Sequence, residues 1–141
     1  MSPNVQIEIR SWQKYPGEKE STEPIVERAV GRSRFAAGKL HILYDSESGA
    51  GEPKLRTHLI FDRNRMEVRR HGQIESAMVF ECGLSSETDY ITPYGRIPMK
   101  ITTTFLKAEK TETAVKISLR YELFAGGGEA VFCRMEICVK K

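Results

Sequence analysis

From Val115 to Val139 apolar and polar side chains alternate almost one for one. Val115, Ile117, Leu119, Tyr121 and Leu123 stand against Lys116, Ser118, Arg120 and Glu122. Beyond Gly126-Gly127-Gly128, Val131, Cys133, Met135, Ile137 and Val139 stand against Arg134, Glu136 and Lys140. An extended chain sends successive side chains to opposite faces, whereas a helix would scatter this pattern around its circumference. Both segments are therefore strands with one dry face and one wet face, and the glycine run is the turn between them.

The same period runs back through most of the chain. Val5, Ile7 and Ile9 alternate with Gln6, Glu8 and Arg10 and stop in the polar loop Tyr15 to Ser21. Leu40, Ile42 and Tyr44, a turn at Ser46 to Gly51, and Leu55, Thr57, Leu59 and Phe61 make a hairpin. Asp62-Arg63-Asn64-Arg65 reverses into Met66, Val68 and Arg70; His71-Gly72-Gln73 reverses again before Met78 and Phe80. Thr88 to Thr92 is a short strand, and Thr92-Pro93-Tyr94-Gly95 a corner whose Thr92–Pro93 bond is a candidate for the cis form. After it Ile97, Met99, Ile101, Thr103 and Phe105 are expected on one face, with Leu106 on the other. Glu23 to Phe35 reads two ways: Thr22 could cap a helix carrying Ile25, Val26, Ala29 and Val30 on one side, but Gly31 and Arg32-Ser33-Arg34 weaken it.

Short turns between so many half-buried strands make an antiparallel meander, and its dry face has to be covered. Closing the sheet on itself covers that face and removes the exposed edges that would template aggregation. The expected fold is all-β: a single antiparallel meander β-barrel of about eight to ten strands spanning residues 1–141, with an interior just wide enough for side chains or one small ligand.

Composition sets the outer bounds. At 141 residues with 40% hydrophobic residues and a net charge of +3, the chain can sustain one core, and a second domain or a disordered chain is not expected. Met1 to Tyr15 alternates instead of forming an apolar leader, and no later stretch is long and apolar enough for a membrane helix, so a cytoplasmic protein with no membrane partner is expected. Cys82, Cys133 and Cys138 are odd in number, and the last two point to opposite faces of one strand, which fits reduced thiols. His41, His58 and His71 do not join them at metal-ligand spacing, so neither a metal nor another cofactor is expected.

Three stretches carry a likeness to a known family. Met66-Glu67-Val68-Arg69-Arg70-His71-Gly72, the run Tyr90-Ile91-Thr92-Pro93-Tyr94-Gly95-Arg96-Ile97-Pro98-Met99 and the ending Leu119-Arg120-Tyr121-Glu122-Leu123 resemble the YwiB-like family of uncharacterised bacterial β-barrel proteins, likened to the calycin or lipocalin barrel. The resemblance implies a barrel, favours a strand over a helix at Glu23 to Phe35, and implies no activity, ligand or catalytic residue. His71 and the paired arginines before Gly72 depart from the family pattern, which has one basic and one small residue there.

Within this frame the chemistry concentrates at a few positions. Period two puts Arg70 on the face of Met66 and Val68, and an inward cation must be paired or must bind an anion. Its planar fork suits a carboxylate or phosphate; the plainer reading pairs it with Glu81 or Glu27 near the barrel mouth. Tyr121, with Tyr44, Thr57 and Thr103, counts to the same side and could complete a polar patch, and Tyr90, Tyr94 and Arg96 could gate the mouth. Residues 54–71 hold Lys54, Arg56, Arg63, Arg65, Arg69 and Arg70 against Asp62 and Glu67. This basic β-ribbon suits an acidic partner or RNA, though it lacks interleaved exposed aromatics for stacking on bases.

Three functions follow in order: a non-catalytic barrel holding a small, anionic or amphipathic ligand in its interior or mouth; an interaction protein using Arg56, Arg63, Arg65 and Arg69; and a small hydrolase or isomerase, for which no acid, base or nucleophile stands out.

Overall fold

The computed structural model describes residues 4–19, 23–46, 55–126 and 128–141. Thr22, Lys54, Gly127 and the turn expected at 47–51 lie outside the described residues. Ten strands follow in order: β1 (Asn4–Lys14), β2 (Ile25–Ala36), β3 (Lys39–Ser46), β4 (Leu55–Asp62), β5 (Arg65–His71), β6 (Ser76–Glu81), β7 (Ser85–Thr92), β8 (Gly95–Lys110), β9 (Ala114–Ala125) and β10 (Val131–Lys140). The segment read two ways is thus strand β2, with Val26, Val30 and Arg32 exposed and Gly31 buried.

The sheet order is β6-β5-β4-β3-β2-β1-β10-β9-β8-β7, antiparallel throughout. Strands consecutive in sequence therefore pair except β6 and β7, the first strand pairs with the last, and one seam is left between β6 and β7. Across that seam run, among the described residues, a single bridge, Glu75 to Ile91, and the bond from Ser86 Oγ to Val79 O (3.1 Å), while the β6–β7 turn is tied to β8 by the Gly83 N–H donating to Thr103 O (2.9 Å). The result is a nearly closed barrel.

Its core is the inward half of the alternation. Val5, Ile7, Ile42, Leu59, Met66, Ile101, Ile117, Leu119 and Ile137 are all buried, drawn from seven of the ten strands. One expected register does not hold. Between Thr103 and Phe105 the β8–β9 pairing shifts by a residue, so that Thr104 and Phe105 both stand opposite the neighbourhood of Arg120. Phe105 is consequently exposed, and Leu106 and Ala108 pack on the core in its place. A bulge of this kind bends and twists a strand; at 16 residues β8 is the longest strand and has to follow the barrel wall furthest. The Thr92–Pro93 bond is trans, and the corner is held instead by Thr92 Oγ1, which accepts from the Tyr94 N–H (3.2 Å) and donates to Gly95 O (3.0 Å).

Candidate functional site: a half-hollow barrel interior

The barrel is filled at one end and hollow at the other. At the filled end Val5, Ile7, Met66, Ile101 and Val139 close the interior. Towards the other end the facing side chains leave a cavity of about 450 Å³. Ile9, Leu59, Val68, Phe80, Leu123 and Met135 are among its apolar walls. That volume lies within the ~300–1,000 Å³ of small-molecule sites.

Strand register sets a polar rung on the inward face, and its Arg70 reaches this chamber. Gly31, Tyr44, Thr57, Arg70 and Ser76 are successive cross-strand partners from β2 to β6. Since Tyr44 and Thr57 are buried on the inward face, Arg70 and Ser76 share it. Arg70 lines the cavity, and among the described residues no carboxylate forms an ion pair with it. The expected partners are placed otherwise: Glu81 lies opposite Arg65, and Glu27 lines the cavity without reaching the guanidinium. Ser76 Oγ is buried with no hydrogen-bond partner among the described residues.

Two phenols complete the polar groups. Burial pushes Tyr44 up to about 12, with the Glu27 charge adding to the rise and the Thr57 hydroxyl and Arg70 opposing it. Tyr121 rises further above the ordinary phenol range, first through burial and then through Cys133, while Arg70 again opposes. Burial likewise raises the Cys133 thiol. Both phenols are therefore neutral donors at physiological pH, and both feel the field of Arg70. The Tyr121 ring leans on Phe80 at 4.9 Å between centroids, which fixes the phenol against the cavity wall.

Of the residues singled out from sequence, Arg70, Tyr121 and Tyr90 line this one cavity. Tyr94 and Arg96 do not: Tyr94 is 100% exposed at the tip of the β7–β8 corner, and Arg96 faces solvent beside Asp89 (3.7 Å). Ile97 takes the place at the mouth that those two were expected to hold. Ser76 was missed because a lone serine beside a turn gives no signal until its strand partner is known.

The basic ribbon is less free than its charge count implied. Arg56 is held by Asp45 (3.0 Å) and Arg69 by Glu67 (2.7 Å). Arg63 sits in the β4–β5 turn with φ of 54°, and Arg65 opens β5 across from Glu81. On the same outer face His41 Nδ1 and His58 Nε2 are 3.0 Å apart. His58 is held below the ordinary imidazole value by partial burial and then by the nearby His41 and Arg69. His71 is engaged by Glu75 at 2.9 Å in the β5–β6 turn.

Fold and site together define a class: small meander β-barrels, packed at one end and hollow at the other, with Arg70 on the inward face of the chamber wall. The chain belongs to the family described as Domain of unknown function (DUF1934), which it matches over residues 7–137. It is similar to the crystal structure of ywiB protein from Bacillus subtilis, with a TM-score of 0.83 at 20% identity over 97% of this chain and 90% of that chain. At that identity the likeness establishes the fold. No curated protein matches the chain, and among the described residues no helix is long and apolar enough to cross a membrane.

Proposed function

We propose that this barrel is a non-catalytic, calycin-like binding module of the cytoplasm that holds a small amphipathic ligand, its anionic head on Arg70 and its apolar body along the walls towards the mouth. The observation that carries this reading is an inward arginine that lines a largely apolar chamber and makes no ion pair among the described residues, with Ser76, whose buried hydroxyl has no partner, opposite it on the next strand. A cation drawn away from water without a counter-charge is costly, and a carboxylate or phosphate removes that cost while accepting from the guanidinium fork. The neutral Tyr121 phenol lines the same cavity and stands ready to donate to the same head group. Three free thiols support a reducing compartment, and the outward row of Glu8, Arg10 and Arg28 supports a water-facing exterior. The exterior ribbon is the weaker reading, because Arg56 and Arg69 are already neutralised.

Native mass spectrometry of protein purified from its source is expected to find a retained small molecule, and decanoate is expected to bind the emptied protein. Arg70→Gln should lower decanoate affinity by about tenfold or more, the worth of a charged hydrogen bond, whereas Arg56→Gln should leave it unchanged. A clean apo mass together with equal decanoate response in wild type and Arg70→Gln ends the proposal.

A further inference from the structure

Arg70 is not the only charge turned into the chamber. On β2, Glu27 stands opposite Ile9 of β1, whose side chain is buried in the core, so register places the carboxylate on the inward face, and both residues line the cavity. Ile25, two residues before Glu27 on the same row, also borders the cavity and is 70% exposed, which sets Glu27 just inside the rim. Burial raises the Tyr44 phenol first, and the charges of Glu27 and Arg70 then act on it in opposite directions, so both reach the same buried group. Arg134 borders the cavity too, but its guanidinium lies over the Trp12 ring, with Cζ 4.0 Å from the centroid. Among the described residues no ion pair joins Glu27 to any cation, Arg70 included.

One chamber thus holds a carboxylate and a guanidinium that do not meet. They hang from β2 and β5, and the two strands between them, β3 and β4, keep them apart. Each charge is drawn partly from water, and each is costly there without a partner. A simple anion on Arg70 adds a second negative charge to a cavity that already contains Glu27, and in a low-dielectric interior that repulsion is felt further than in water. A molecule with both signs meets both groups and brings no net charge with it.

We infer that the ligand class is zwitterionic: an elongated molecule whose anionic head lies on Arg70, whose ammonium group donates to the Glu27 carboxylate near the rim, and whose apolar spacer packs along Leu59, Val68, Phe80 and Leu123. This inference rests on the binding reading above and narrows it, from any small amphipathic anion to one that also carries an amine. The spacing of the two charges then selects for length, because the strands fix both anchor points, and a ligand too short to span them gains from only one.

The test is isothermal titration calorimetry of the emptied protein with two matched pairs, decanoate against ω-aminodecanoate and hexanoate against ω-aminohexanoate. At least one amino compound is expected to bind about fivefold or more tightly than its alkanoate, in the range of a charged hydrogen bond at a partly exposed carboxylate. Glu27→Gln should abolish that preference and leave the alkanoates bound as tightly as before or more so, whereas Arg70→Gln should weaken both members of each pair. Glu27→Asp, which keeps the charge, should keep part of the preference, and an unchanged far-ultraviolet dichroism spectrum establishes that the variants fold. Alkanoate binding that Arg70→Gln weakens, with no gain from either amino group or with a gain that Glu27→Gln leaves intact, overturns the zwitterionic assignment and leaves the singly charged ligand standing. Failure of all four compounds to bind the wild type overturns both.

Discussion

Gly31 occupies the inward position between Ala29 and Ser33 on β2, where strand β3 and the side chain of Ile7 crowd it. A Cβ placed there would press on the Leu43 carbonyl oxygen and stand 2.9 Å from Ile7 Cδ1 and Tyr44 Cβ. A backbone oxygen in a sheet ladder cannot swing aside as a side chain can, so the sheet itself would have to shift. Gly31→Ala should therefore destabilise the protein by ~1–3 kcal/mol, the usual cost of overpacking, read as a lower urea midpoint; an unchanged midpoint would mean β2 and β3 are not held this close. The same glycine explains why the sequence around it reads ambiguously. A residue selected for close approach carries no apolar side chain, so the inward row of β2 loses its mark. Arg70 is the opposite case: its inward place followed from Met66 and Val68 alone, but whether a carboxylate met it depended on where β2 and β6 lay.

At the scale of elements, β8 departs most from its expected course. Thr103 keeps the inward register, Thr104 and Phe105 both lie outward, and Leu106 resumes it. The bulge thus adds one residue without exchanging the two faces of the strand that follows. Deleting Thr104 should leave Leu106 and Ala108 inward and the barrel folded. Inserting one alanine between Leu119 and Arg120 of the regular strand β9 should send half its apolar row to solvent and abolish the fold. Far-ultraviolet dichroism and thermal melting separate the two; an unfolded deletion variant, or a folded insertion variant, would refute this account of the bulge. The alternation made β8 legible as a strand, but a bulge has no fixed residue signature. Thr104 is no more distinctive than Thr102 or Thr103.

For the whole molecule the decisive feature is the seam. Nine strand pairs are ladders, broken only by the bulge between β8 and β9, whereas among the described residues β6 and β7 share one bridge and a few hydrogen bonds. Amides along β6 and β7 that face the seam should exchange with solvent faster than those joining β1 to β10, because local opening there breaks the fewest bonds. Hydrogen exchange read by mass spectrometry measures the difference, and equal protection would mean a fully closed ring. The seam borders the cavity wall at Met78 and Tyr90, so a ligand in the chamber should slow exchange on both strands.

Taken alone, the sequence determined the strands, their wet and dry faces, the meander and the need to close it, because each follows from neighbours one or two residues apart. The inward placement of Arg70 and Tyr121 was legible for the same reason. Tertiary structure decided where the interior stays hollow, which carboxylates fail to reach Arg70, that Ser76 joins it, and that Tyr94 and Arg96 do not. Those outcomes depend on register and curvature between strands far apart in the chain, and the two-residue period that marks a strand carries no information about which residue of a distant strand it will face.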